Sequence, residues 1–111
     1  MRYFTKAEFS CKCGCGFDSI NHDLTELLDA LRDHFEVPIT VNSGCRCIDH
    51  NQAVGGAPRS QHLLGKAADV VVQGIPPRLV AEMAIQLGAN GVKRYNTFTH
   101  IDVREDEWHV V

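Results

Sequence analysis

No stretch of this 111-residue chain approaches the ~20 consecutive apolar residues that a membrane-spanning helix needs. Basic residues are not in excess either: 11 Lys and Arg stand against 14 Asp and Glu, for a net charge of -3. Such a balance lacks the basic footprint that neutralises nucleic-acid phosphates, so no nucleic-acid partner is expected. The opening MRYFTKAEFS has neither a long apolar core nor a small-residue cleavage site, which predicts synthesis in the cytoplasm without a secretory signal. Repeats, low-complexity tracts and linkers are missing too. The length suits a single domain over 1–111 and is too short for two.

Histidine and cysteine are abundant for so small a chain, at 6 and 5 residues. The cysteines fall in two groups, Cys11, Cys13 and Cys15 in CKCGCG, and Cys45 and Cys47 in GCRC. Their alternating spacing departs from the Cys-x2-Cys knuckles of zinc ribbons, so the signal for structural zinc is weak. The count admits two disulfides between the groups with one thiol left over, each closing a loop of about 30 residues. Free buried thiols, or a second metal held by cysteine, fit the count as well. No pattern pairs a cysteine with a base, so none is expected to be a nucleophile.

Periodicity divides the chain into elements. In NHDLTELLDALRDHF, Leu24, Leu27, Leu28, Leu31 and Phe35 share one helical face, and Asp23 with Glu26 resembles a capping box. VPITVNSG reads as a strand, IDHNQAVGG as a short helix stopped at Gly55 and Gly56, and KAADVVV as a strand. GIPPRLVAEMAIQLGA is a second amphipathic helix, opened by Pro76 and Pro77 and closed by Gly88. GVKRY and FTHIDVR follow as two short strands, while residues 1–20 read as an irregular arm.

Strand alternation then suggests a site. In FTHIDVR the period of two places Phe98, His100 and Asp102 on one face and Ile101 and Val103 on the other, where the core is expected. In KAADVVV the same alternation separates Asp69 from the inward-facing Ala68 and Val70. If both strands share one antiparallel sheet, Asp69 and His100 emerge on the same side. His62, seven residues earlier on the loop leading into the first strand, can fold back over them. Two imidazoles and one carboxylate suit a catalytic zinc ion whose fourth position is left to water.

The segments SGCR (43–46), HNQAVGGAPRSQHLLGKAAD (50–69) and YNTFTHIDVR (95–104) resemble the signatures of small zinc D-Ala-D-Ala carboxypeptidases and phage endolysin peptidases. That group also includes lysostaphin-type peptidases and the sonic hedgehog signalling domain. The resemblance runs from about Phe9 to Arg104, and SQHLLGKAAD matches every fixed position of an S-x-H-x-x-G-x-A-x-D pattern. It implies that His62, Asp69 and His100 bind zinc, that Arg46 holds a substrate carboxylate or carbonyl oxygen, and that Ser60 hydrogen-bonds near the metal. It further implies an α+β fold, with a small antiparallel sheet, two main helices on one face and zinc on the other.

Two positions depart from the family pattern. Cys45 stands where an aromatic residue often precedes the arginine. Thr97 stands three residues before His100, where a catalytic acid is common. Asp102 is the natural substitute as general base, since a carboxylate beside a metal stays ionised. A rival frame uses DEWH, with Asp106 as base and His109 as the third ligand; the HxDxR ending favours His100 and Asp102. The expected substrate is a peptidoglycan stem peptide, cut by a monomeric enzyme at the bacterial cell wall, at a bond involving a D-amino acid. A catalytically inactive zinc-containing module that binds peptidoglycan or protein is the alternative, kept open by Thr97.

Overall fold

The computed structural model describes residues 1–111. The arm expected to be irregular contains one helical turn, α1 (Lys6–Phe9), which buries Phe9 completely. Helix α2 (His22–Phe35) follows the leucine period: Leu24, Leu28 and Leu31 are fully buried. At about 1.5–3 kcal/mol for each such side chain, this stripe fastens the helix to the sheet. The helix begins two residues earlier than the Asp23–Glu26 pair suggests. Asn21 is the N-cap, and its side-chain oxygen accepts from the backbone N–H groups of Asp23 and Leu24. Asp29, buried on α2, accepts the backbone N–H groups of Arg2 and Tyr3 and so ties the start of the arm down.

The remaining elements are β1 (Ile39–Ser43), α3 (Ile48–Ala53), a 3-10 turn (Gln61–Leu64), β2 (Ala67–Val72), α4 (Pro77–Gln86), β3 (Gly91–Arg94), β4 (Thr99–Asp102) and β5 (Trp108–Val110). The strands form one sheet in the order β1-β2-β4-β3-β5. The fold is α+β as expected, but the sheet is mixed and not purely antiparallel. β3 pairs with β5 in parallel, with Gly91 opposite Trp108, and the other neighbours are antiparallel. The reason lies in the strand order. Both edges of β4 are already taken by β2 and β3, so the chain that leaves β4 turns back and pairs with the outer edge of β3.

One hydrophobic core joins α2, α4 and one face of the sheet. Leu24, Leu28 and Leu31 meet Val80, Ala81 and Ala84 of α4 over Ala68, Val70, Val92 and Ile101. Alternation therefore points the intervening residues of β2 and β4 to the opposite face. There Asp69 and His100 are direct cross-strand partners, as are Ala67 and Asp102.

Candidate metal centre

His62 reaches the exposed sheet face from the 3-10 turn that enters β2. Ser60 caps that turn, its Oγ accepting the backbone N–H of His62 at 3.2 Å. Ser60 thus acts on the backbone of the turn that carries His62. His62 is almost wholly buried. Its Nδ1 lies 2.7 Å from the carbonyl oxygen of Gly44, which can only accept, so the ring proton sits on Nδ1. The lone pair on Nε2 is left facing Asp69 Oδ1 at 3.3 Å.

His100 is held from the other side. Its Nε2 donates to Asp102 Oδ2 at 2.7 Å, which turns Nδ1 towards the same Asp69 Oδ1 at 3.0 Å. The ligand atoms of His62, Asp69 and His100 all lie within 4.8 Å of one another. Two imidazole lone pairs directed at one carboxylate oxygen repel unless a positive charge stands among them. The donor set, two nitrogens and one oxygen with the outer nitrogens fixed by a carbonyl and a carboxylate, is what a catalytic zinc site requires. The residues therefore fit the metal.

The local electrostatics run the same way. Burial by itself would raise the pKa of Asp69, yet the imidazoles of His100 and His62 hold it well below the usual carboxylate range. Burial opposes a charge on His100, but Asp102 and Asp69 outweigh it and raise its pKa.

Asp102 is placed differently from the expectation of a base reaching into the cleft. Its side chain is fully buried behind His100. Oδ2 accepts from His100 Nε2, and Arg104 donates to the carboxylate through its backbone N–H at 3.1 Å, Nε at 2.9 Å and Nη2 at 2.6 Å. Burial pushes its pKa up, but His100 and Arg104 bring it well below the ordinary value. Alternation assigned Asp102 to the correct face; what covers that face was not visible in the alternation. The space for its carboxylate comes from Ala67 on one side and Gly91 on the other, where a Cβ would lie 2.0 Å from Asp102 Oδ1. Sequence reasoning missed the parts of Gly91 and Arg104, although Arg104 stands two residues after Asp102 in the HxDxR ending.

Arg46 lies beside the centre. Its Nη2 pairs with Asp69 Oδ2 at 3.1 Å, while Nε donates to Ser43 Oγ at 3.0 Å and Nη1 to Asn51 Oδ1 at 3.3 Å. A cleft of about 530 Å³ opens over the centre, with Arg46, Arg59, Tyr95, Phe98, Arg104 and Trp108 among its lining residues. Trp108 meets His100 edge-on, with Arg104 over its indole ring. The rival pair is not brought to this point. His109 turns its Nε2 to the carbonyl oxygen of Ala89 on the outer strand, and Asp106 lines an adjoining groove.

An α+β fold that gathers these three donors on one sheet face, under an open cleft, is the arrangement of a small mononuclear metallohydrolase. The family model for Peptidase M15 matches residues 2–102, and the chain belongs to that metal-dependent peptidase family. No match among curated proteins was found.

Proposed function

We propose that this protein is a zinc-dependent peptidase that cuts peptidoglycan stem peptides at a bond involving a D-amino acid, with His62, Asp69 and His100 as the metal ligands. The observation that carries the reading is the convergence of His62 Nε2 and His100 Nδ1 on Asp69. Zinc bound there supplies a Lewis acid for the scissile carbonyl and lowers the pKa of its water towards neutrality.

The chain's own residues prepare the centre for that chemistry. The Gly44 carbonyl and Asp102 each hold the outer nitrogen of an imidazole, so neither ring has to turn before it can act as a ligand. In this reading Asp102 is a positioning residue. Its carboxylate is engaged by His100 and Arg104, and its side chain has no exposed surface. Arg46 faces the cleft from a fixed position and places positive charge where a tetrahedral intermediate develops its oxyanion. Arg59, also on the cleft wall, makes no ion pair within the chain and is free to receive a peptide carboxylate. The stacked rings of Tyr95 and Phe98 form an apolar wall beside it. The protein would act as a monomer at the bacterial cell wall, as a D-Ala-D-Ala carboxypeptidase or an endolysin-type endopeptidase.

One observation favours a second reading, a zinc-containing binding module without turnover. Asp69 is the one carboxylate that lines the cleft, and Glu105, Asp106 and Glu107 line the groove beside it. Incubating purified peptidoglycan with the zinc-loaded protein separates the two. A peptidase releases soluble peptides, stops when zinc is chelated, recovers when zinc returns, and is inactive as Asp69→Ala. A zinc-loaded protein that sediments with peptidoglycan and releases nothing would refute the peptidase and leave the binding module.

A further inference from the structure

The cysteines form a second cluster that the peptidase chemistry does not use. The structure assigns Cys11, Cys13, Cys15 and Cys47 to a tetrathiolate zinc site, separate from the His62–Asp69–His100 centre, that fastens the N-terminal arm to the loop carrying Arg46. This assignment does not depend on the proposed peptidase activity.

The four sulfur atoms lie within 4.8 Å of one another. Cys11 Sγ is 3.4 Å from Cys13 Sγ, and Cys13 Sγ is 3.6 Å from Cys47 Sγ. A tetrahedral zinc with bonds of about 2.3 Å separates its sulfurs by roughly 3.8 Å, whereas a disulfide holds them about 2.05 Å apart. The spacing is therefore close to that of a coordination shell and far from that of a bonded pair, and all five cysteines are free. Cys45, fully buried, stands outside the group. The two cysteines of GCRC thus have different tasks, which their count alone could not separate.

The backbone is shaped around this point. The segment from Cys11 to Phe17 closes on itself, with the Cys11 N–H donating to the Phe17 carbonyl at 2.8 Å and the Gly14 N–H to the Cys11 carbonyl at 3.1 Å. Gly14 and Gly16 adopt φ of +84° and +92°, which cysteine or lysine at those positions would adopt only under strain. The turn gathers three alternate thiols and buries only the first: Cys11 is buried, while Cys13 and Cys15 are exposed. The fourth comes from the N-cap of α3. The Cys47 N–H points at Cys11 Sγ at 3.5 Å, and the His50 N–H points at Cys47 Sγ at 3.4 Å. Amide donors of this kind offset the negative charge that four thiolates leave on a divalent ion. Binding the ion releases the thiol protons to solvent, so assembly is favoured by rising pH.

The position of the cluster gives it a task. Cys47 directly follows Arg46, whose backbone N–H donates to the His62 carbonyl at 3.0 Å, and the Cys45 N–H donates to the Phe9 carbonyl at 2.8 Å. Gly44 passes so close to the arm that a Cβ there would lie 2.8 Å from Phe9 Cα. Closing the cage holds the arm, the end of β1 and the ligand loop in one register.

The test uses the full chain, purified under reducing conditions and loaded with zinc. Elemental analysis should find two ions per chain in the wild type, and one each in His62→Ala and Cys15→Ser. Loaded with cobalt, the wild type and His62→Ala should show the intense near-ultraviolet sulfur-to-cobalt charge-transfer absorption of a thiolate site. Cys15→Ser should lose most of it, since Cys15 is exposed and its replacement disturbs no packing. The wild-type spectrum needs no variant, so a variant that fails to fold cannot shield the assignment. A zinc content that Cys15→Ser leaves at the wild-type value, cobalt-loaded wild type without that absorption, or an intact mass showing disulfides among the four cysteines in freshly purified protein would each overturn it.

Discussion

Replacing Asp102 with asparagine keeps the shape of the side chain and removes its charge, which makes it the most informative single change at this centre. In the wild type the carboxylate receives only donors: His100 Nε2 on one side, and the backbone and guanidinium of Arg104 on the other. An amide has one accepting end. Whichever way it is turned, its NH2 group meets either the imidazole N–H or the guanidinium, donor against donor. Burying that mismatch costs about 1–3 kcal/mol, which in a domain of this size lowers Tm by about 4–8 °C for each kcal/mol. The imidazole also loses the partner that turns Nδ1 towards Asp69, a kind of loss worth about 10–100-fold in metal affinity, or roughly 1.4–2.8 kcal/mol. Competition with a chromophoric zinc chelator measures the affinity, and peptidoglycan hydrolysis at saturating zinc measures what remains of turnover. If Asp102 only positions His100, the variant binds zinc weakly but regains most activity once zinc is in excess. If it binds zinc as tightly as the wild type and turnover still falls about 10²–10⁴-fold, Asp102 moves a proton itself and the positioning role is wrong.

Gly91→Ala tests the same carboxylate from behind. A methyl 2.0 Å from Asp102 Oδ1 must displace it, so stability should fall by about 1–3 kcal/mol and zinc affinity with it; an unchanged unfolding midpoint would mean the strands open without cost. Arg46→Lys keeps the charge but cannot reproduce three directed contacts to Ser43, Asn51 and Asp69. Zinc content should hold while kcat/KM falls about a hundredfold, and an unchanged kcat/KM would remove Arg46 from the chemistry. In chelator-treated protein, Asp69 and Asp102 have depressed pKa values, so their stabilisation is present above pH ~3.9 and lost as pH falls through their folded values. His100 has a raised pKa, so its share is complete below pH ~6.5 and lost as pH rises through its folded value. Denaturant titrations across pH should therefore show the metal-free protein most stable between those limits; stability that climbs steadily into the alkaline range would contradict the network.

Much of this architecture could be read from residue order. The leucine period of α2 and the proline start of α4 report which side chains are apolar and how often they recur, and that spacing is local. The three candidate ligands were accessible for the same reason. Alternation within β2 and β4 separates Asp69 and His100 from the core residues, and the short turn after Ser60 brings His62 back to β2. Family membership agrees with the resemblance that the motifs carry.

Other features depend on contacts between distant segments, which local spacing does not carry. β5 is three residues long, Trp-His-Val, and exposed throughout, so it is too short to show a period, and it becomes a strand because β3 offers the free edge. Asp102 lies on the expected face, but Arg104 folds back over it and Gly91 opens space beneath it, so a residue expected to meet water is enclosed. Five cysteines could be paired in several ways on paper. Only the closing of the CKCGCG turn against the N-cap of α3 distinguishes Cys47 from Cys45, because a thiol's partner is set by where two loops meet in space and not by its distance along the chain.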